Sequence, residues 1–284
     1  MTGLRSQPVR IRPPWIVALT CAVIFGCESV KSVPTLPARN SVVLDQLVVY
    51  TDFRLPKQHR LLEELTALRF EVSRKLDLPT SDEPIQVYLF ETPEEFRSFF
   101  QRYYPAFPSR RAFFVETDTR LTVYAYWGDR VAEDMRHEVS HGYMHSVVPN
   151  LPLWLDEGLA EYFEVTPGAE GLNQPHLEQL ALQLHAGAWR PDLARLERLE
   201  TIAAMKQLEY AEGWAWAHWM LHTTPERREL LRSFLRRLRS RENPPSLLTE
   251  LLEICPEPNR ALAEHVRSLA ERHLRSAGVV NDSR

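Results

Sequence analysis

His137, Glu138 and His141 stand as H-E-x-x-H within residues 129–164, DRVAEDMRHEVSHGYMHSVVPNLPLWLDEGLAEYFE. On a helix that spacing sets two imidazoles one turn apart on the same face, where one zinc ion can bridge them. Glu138, beside the first ligand, can then reach a water in the open position of that ion and act on it as a base. Sixteen positions after His141 comes Glu157, in the run Pro152-Leu153-Trp154-Leu155-Asp156-Glu157-Gly158-Leu159-Ala160-Glu161. Pro152 suits the start of a second helix, and helices joined by a short connection pack antiparallel, so the Glu157 carboxylate can face both histidines. Two His and one Glu with a vacant fourth position make a catalytic zinc set, unlike the closed four-ligand set of a structural site. A third histidine six positions past His141 would mark a metzincin, but that position is Val147.

His137-Glu138-Val139-Ser140-His141 followed by Trp154-Leu155-Asp156-Glu157-Gly158 resembles the gluzincin metallopeptidases, the thermolysin and M1 aminopeptidase type. The run LPLWLDEGLAEYF is similar to that of bacterial peptidase-MA-like lipoproteins. The resemblance covers residues 129–164 and is diffuse elsewhere, and the interval between ligands is a few residues shorter than in thermolysin or the aminopeptidases. It implies one zinc ion, a peptide or protein substrate, and hydrolysis of a peptide bond with Glu138 as general base. It also implies that Glu161, one turn after Glu157, hydrogen-bonds the outer nitrogen of His137, while Asp156 can do the same for His141. Solvated helix surface is the plain alternative for both. Tyr210, opening a later helix, is by resemblance the residue that steadies the oxyanion; His218 and His222 are the other candidates, and core packing is the plain reading of all three. Residues 121–126, the last strand before the zinc helix, are by resemblance the rim that pairs with an extended substrate, with a buried sheet strand that contacts no ligand as the plain alternative. No Gly-x-Met-Glu-Asn motif for gripping a free amine is present, which leans toward endopeptidase. Two other functions share the motif: a catalytically silent zinc-containing surface lipoprotein acting as a binding scaffold, and a zinc amidase working on cell-wall material. A scaffold has no need of Glu138.

The elements that position these residues read as an α+β fold, with a small mixed or antiparallel sheet and its helices over residues 41–127. A mainly helical zincin-like part over 128–284 follows, with the cleft between them. Residues 41–50 (SVVLDQLVVY) and 84–90 (PIQVYLF) read as strands, and Leu61, Leu62, Leu65, Leu68 and Val72 mark a helical stripe between them. Thr92-Pro93-Glu94-Glu95 is a helix start with a capping box. Residues 112–117 and 121–126 form a predicted hairpin around Asp118-Thr119. Asp129 is placed to cap the zinc helix, with Val131, Met135, Val139 and Tyr143 as its packing face. His145 continues the histidine row one turn beyond the ion, as a surface or supporting residue. Gly158, unfavourable within a helix by about 1 kcal/mol relative to Ala, suggests a close approach of the two ligand helices. Residues 166–208 read as an insertion beside the cleft, and residues 210–222 as an aromatic helix. Seven arginines between Arg227 and Arg241 read as a solvated helix face, with anionic lipid as the alternative.

The first residues differ from the rest. Arg5, Arg10 and Arg12 precede an apolar run at 15–26 too short to span a bilayer, and Cys27 ends it. Residues 1–27 therefore resemble a lipoprotein signal peptide with Cys27 as the lipidation site; a plain secretory signal and an uncleaved anchor are the alternatives. Residues 28–40, polar and proline-bearing, read as a tether. The implied location is the bacterial cell envelope, lipid-anchored to a membrane and facing the periplasm or exterior. The chain carries 34 basic and 38 acidic side chains, and loss of the three leader arginines deepens that acidic excess. A negative protein is a poor nucleic-acid binder, so no nucleic-acid partner is expected. With Cys21 in the leader and Cys27 lipidated, Cys255 has no partner for a disulfide.

Overall fold

The computed structural model describes residues 33–242 and 244–281. The leader and Cys27 lie outside the described residues. Strand β1 (Asn40–Leu44) and β2 (Leu47–Thr51) pair antiparallel. The expected single strand over 41–50 is thus a hairpin, turned at Asp45-Gln46, with Asp45 in the left-handed region at φ 47°. Asp tolerates that region better than most side chains, so no glycine marks the turn. The predicted tether is held at its end, where Asp52 accepts from the Ala38 and Arg39 N–H groups.

Helix α1 (Arg60–Leu76) crosses from β2 to β3 (Ile85–Phe90), which lies parallel to β2. The Leu61 to Val72 stripe is buried as its spacing requires. Helix α2 (Pro93–Tyr103) begins with the Thr92–Glu95 capping box. It leads to β4 (Ala112–Thr117) and β5 (Arg120–Tyr126). The five strands form one mixed sheet in the order β1-β2-β3-β5-β4. β5 is therefore interior, parallel to β3 and antiparallel to β4. The edge on this side of the sheet belongs to β4, which corrects the assignment of the rim to residues 121–126: the hairpin returns its second strand, not its first, to the centre.

Side chains alternate across the sheet. Ile85, Val87, Leu89, Leu121, Val123 and Ala125 join the main core. Phe90 and Tyr124 on the other face pack with Phe96, Phe99, Phe100 and Phe113 under α2. Helix α3 (Val131–His145) lies on the main-core face. It sits close because Gly142 has no side chain; a Cβ there would be 2.9 Å from Ile85 Cδ1. The cap of α3 is Arg130 without a side-chain bond, so Asp129 does not cap it. Glu133 and Asp134 instead supply negative charge in the first turn.

Helix α4 (Leu153–Phe163) follows a short connection in which Asn150 takes φ 59°. Next come α5 (Gln174–His185), the short α6 (Leu193–Leu196), a 3-10 turn at Ile202–Ala204, and α7 (Gln207–His222). Helix α7 is buried continuously from Ala211 to Leu221, as expected of a helix apolar on all sides. Glu212 and His218 are the polar exceptions; Glu212, fully buried, ties down the insertion by accepting from Trp189 Nε1, the Asp192 N–H and Arg195 Nη2.

Gly158 makes its close approach to α7, where a Cβ would lie 2.4 Å from the Gly213 carbonyl oxygen, and not to α3. Helices α8 (Pro225–Arg239), α9 (Leu247–Ile254) and α10 (Pro258–Asn281) complete the fold. The arginine-rich face of α8 is engaged internally: Arg232 donates to the Lys75 carbonyl, Arg236 pairs with Asp77 and Glu229, and Arg237 pairs with Glu250. One contiguous cluster of buried side chains runs from Leu47 to Val266, so the core is continuous across residues 127 and 128. Cys255 is free and buried, and no helix among the described residues is long and apolar enough to cross a membrane.

Candidate metal centre

Helices α3 and α4 bring His137, His141 and Glu157 together. The two imidazole Nε2 atoms lie 3.3 Å apart, and Glu157 Oε2 is 3.5 Å from one and 3.8 Å from the other. A tetrahedral ion with bonds of about 2.0–2.2 Å needs ligand separations of roughly 3.3–3.6 Å. Two of the three separations fall in that range and the third, His141 Nε2 to Glu157 Oε2, exceeds it by about 0.2 Å, so the group could hold a metal ion after a small shift of the carboxylate.

The tautomers agree. His137 Nδ1 donates to Glu164 Oε2 at 2.9 Å and His141 Nδ1 donates to Asp156 Oδ1 at 2.7 Å. In each neutral ring the lone pair is then on Nε2, so two lone pairs and a carboxylate converge with no proton between them. Glu157 Oε2 is buried and takes no hydrogen bond from any described residue. A buried carboxylate oxygen left without a donor is costly, and a cation among these three atoms removes that cost. Without one, burial opposes protonation of His137, but the Glu157 and Glu164 carboxylates hold its imidazole well above the usual range.

The outer contacts differ from expectation in one place. Asp156 reaches His141, but Glu161 does not hydrogen-bond His137. Glu164, the C-cap residue of α4, does so instead. Glu161 turns to His176 Nε2 at 2.8 Å and receives Asn173 Nδ2, both at the start of α5. Glu164 keeps helical backbone angles (φ −70°, ψ −21°) and stands two turns after Glu157 on the same face of α4, so it reaches the first histidine while Glu161 is engaged by α5. Arg136, buried on α3, fixes that end by donating to the Glu164 carbonyl at 2.6 Å and pairing with Glu64 of α1 at 3.0 Å. The H-E-x-x-H spacing carries no trace of Glu164, because its role depends on how α4 packs against α3 and the start of α5.

His145 is a supporting residue, donating to Asp156 Oδ2 and to Glu116 Oε2. Burial works against its charge, yet Asp156 and Glu116 push its pKa up to about 10. Asp156, held between two imidazoles, is pulled below the usual carboxylate range although burial opposes this. His218 and His222 are not at the centre. His218 meets His265 of α10 at 3.0 Å and His222 meets the Tyr162 hydroxyl at 2.7 Å, in a separate pocket.

Glu138 is nearly buried, and burial raises its pKa while His137 and His141 pull it down. Its carboxylate accepts the Phe114 N–H of β4, so the open edge of that strand looks into the cleft. Phe114 also stacks on His141, with ring centroids 5.7 Å apart. Two lobes flank the centre. One, of about 730 Å³, is charged, lined by Arg97, Arg111, Glu133, Asp134, Glu161 and Glu164 among others. The second, of about 750 Å³, is largely apolar, with Phe107, Phe114, Val115, Leu153, Ile202 and Met205 in its wall. Tyr210 lines the charged lobe, and its hydroxyl accepts from Arg110 at 2.8 Å. Arg110 sits in the loop between α2 and β4, which has no pattern that could have marked it.

No protein-family model matches the chain, and no curated protein matches it.

Proposed function

We propose that the protein is a zinc-dependent peptidase of the gluzincin type, with His137, His141 and Glu157 as the ligands of one zinc ion and Glu138 as general base. The observation that carries this reading is the convergence of two Nε2 lone pairs and a Glu157 oxygen without a hydrogen-bond donor, 3.3–3.8 Å from one another, with Glu138 beside them. When bound, zinc supplies a Lewis acid that polarises a carbonyl and acidifies water.

The rest falls to the chain's own residues. Asp156 and Glu164 hold the two rings in the tautomer that frees Nε2. Glu138 takes the proton of the attacking water and returns it to the leaving amine; burial, which raises its pKa, suits it to both tasks. The Tyr210 hydroxyl donates to the oxyanion. The free edge of β4 offers backbone groups to an extended peptide, and the apolar lobe accepts a large side chain next to the scissile bond. The leader and Cys27 fit a lipid-anchored protein of the bacterial envelope.

A mixed peptide library incubated with and without chelator tests the activity. Glu138→Gln should keep its metal and lose hydrolysis by about 10²-fold or more. Full activity in that variant would remove Glu138 as the base, and wild-type protein without chelator-sensitive cleavage would refute the peptidase.

A further inference from the structure

Arg110 is exposed, yet among the described residues it forms no ion pair with a carboxylate. Its Nη2 donates to the Tyr210 hydroxyl at 2.8 Å, with the guanidinium carbon 5.8 Å from the ring centroid. The loop that carries it is pinned by the next residue. Arg111 forks onto Asp134 of α3, with bonds of 2.6 to 3.0 Å. Asp134 precedes His137 by one turn, so Arg110 is placed relative to the metal ligands through a rigid bidentate contact. It lines both lobes at their junction.

A guanidinium has donors only. The Tyr210 oxygen must therefore accept from Arg110, and the phenol proton has to go elsewhere. No described residue takes it. A hydroxyl that accepts a charged hydrogen bond also becomes a better donor. The charge across the cleft belongs to Glu138 and Glu157, both within the electrostatic reach of Arg110.

We propose that Arg110 is a positioning residue for the reaction described above: it holds the Tyr210 hydroxyl so that its proton points into the cleft, toward the developing oxyanion. This rests on the peptidase reading.

The test is a double-mutant cycle on the zinc-loaded protein, with Arg110→Met, Tyr210→Phe and both together, assayed on one library peptide as free acid and as C-terminal amide. Arg110→Met should lower kcat about tenfold to a hundredfold with KM within about twofold. That loss should vanish in the Tyr210→Phe background, and Arg110→Lys should recover part of it. Equal loss in both backgrounds, or no loss in kcat, overturns the proposal. A rise in KM confined to the free-acid peptide also overturns it, since Arg110 would then be gripping a substrate carboxylate. Absence of chelator-sensitive cleavage in the wild type is a different failure, that of the peptidase reading itself. A second measurement needs no activity. In metal-free protein containing 3-fluorotyrosine, the fluorine resonance that disappears in Tyr210→Phe should shift in Arg110→Met, and an unmoved resonance refutes the coupling.

Discussion

Gly158→Ala probes the contact that sets where Glu157 stands. The added Cβ would lie 2.4 Å from the Gly213 carbonyl oxygen and 2.5 Å from its carbon. Ordinary carbon contacts fall at about 3.5–4.0 Å, so α4 has to retreat from α7 by roughly 1 Å. The opposing atoms are backbone and cannot rotate away. Overpacking of this kind costs about 1–3 kcal/mol, here at the upper end, and alanine returns up to about 1 kcal/mol through helix propensity. The net loss is about 2 kcal/mol, or roughly 4–8 °C in Tm for a domain of this size. Glu157 is the adjacent residue and moves with the helix, which disturbs its present separations of 3.5 and 3.8 Å from the two nitrogens. Zinc affinity should drop by about tenfold or more, the range seen when a ligand loses its support. Thermal melts with and without metal, together with a competition titration using a fluorescent chelator, measure both effects. A variant that melts and binds zinc like the wild type would refute the idea that the Gly158–Gly213 contact sets the metal geometry.

Three further outcomes are expected. Glu164→Gln should weaken zinc binding about 10- to 100-fold while Glu161→Gln changes it far less, and the reverse order by chelator competition would restore Glu161 as the partner of His137. His218 and His265 are kept neutral by burial and by nearby cations, with pKa values lowered to about 2 and about 4. Their unfolded forms take up protons near pH 6.5 and the folded forms do not, so stability should be full above that pH and fall between pH 6.5 and 4, by at most about 1.4 kcal/mol per unit per group. Denaturant melts of His265→Gln should show a shallower acid limb; an unchanged slope would remove this pair as its cause. Ala203→Trp, in the wall of the apolar lobe, should shift the cleavage profile toward small side chains at one position flanking the scissile bond, and a profile like that of the wild type would empty the lobe of its role.

The sequence by itself determined the groups that local spacing controls. His137 and His141 share a face because a helix repeats every 3.6 residues, and Thr92-Pro93-Glu94-Glu95 starts α2 through contacts confined to one turn. The hydrophobic stripe of α1 and the alternation in β3 and β5 were legible for the same reason, and with them the α+β class. The hairpin at Asp45-Gln46 was not, since two polar residues without a glycine barely interrupt a β-branched run. Tertiary structure decided the rest. The choice of β4 as the open edge depends on the parallel pairing of β5 with β3, a contact between residues far apart in the chain. Glu164 displaces Glu161 at His137 because Glu161 is taken up by His176 and Asn173 at the start of α5, and Gly158 answers to α7 instead of α3. Arg110 meets Tyr210 across one hundred positions of sequence, where no periodicity reaches and only packing can bring two side chains together.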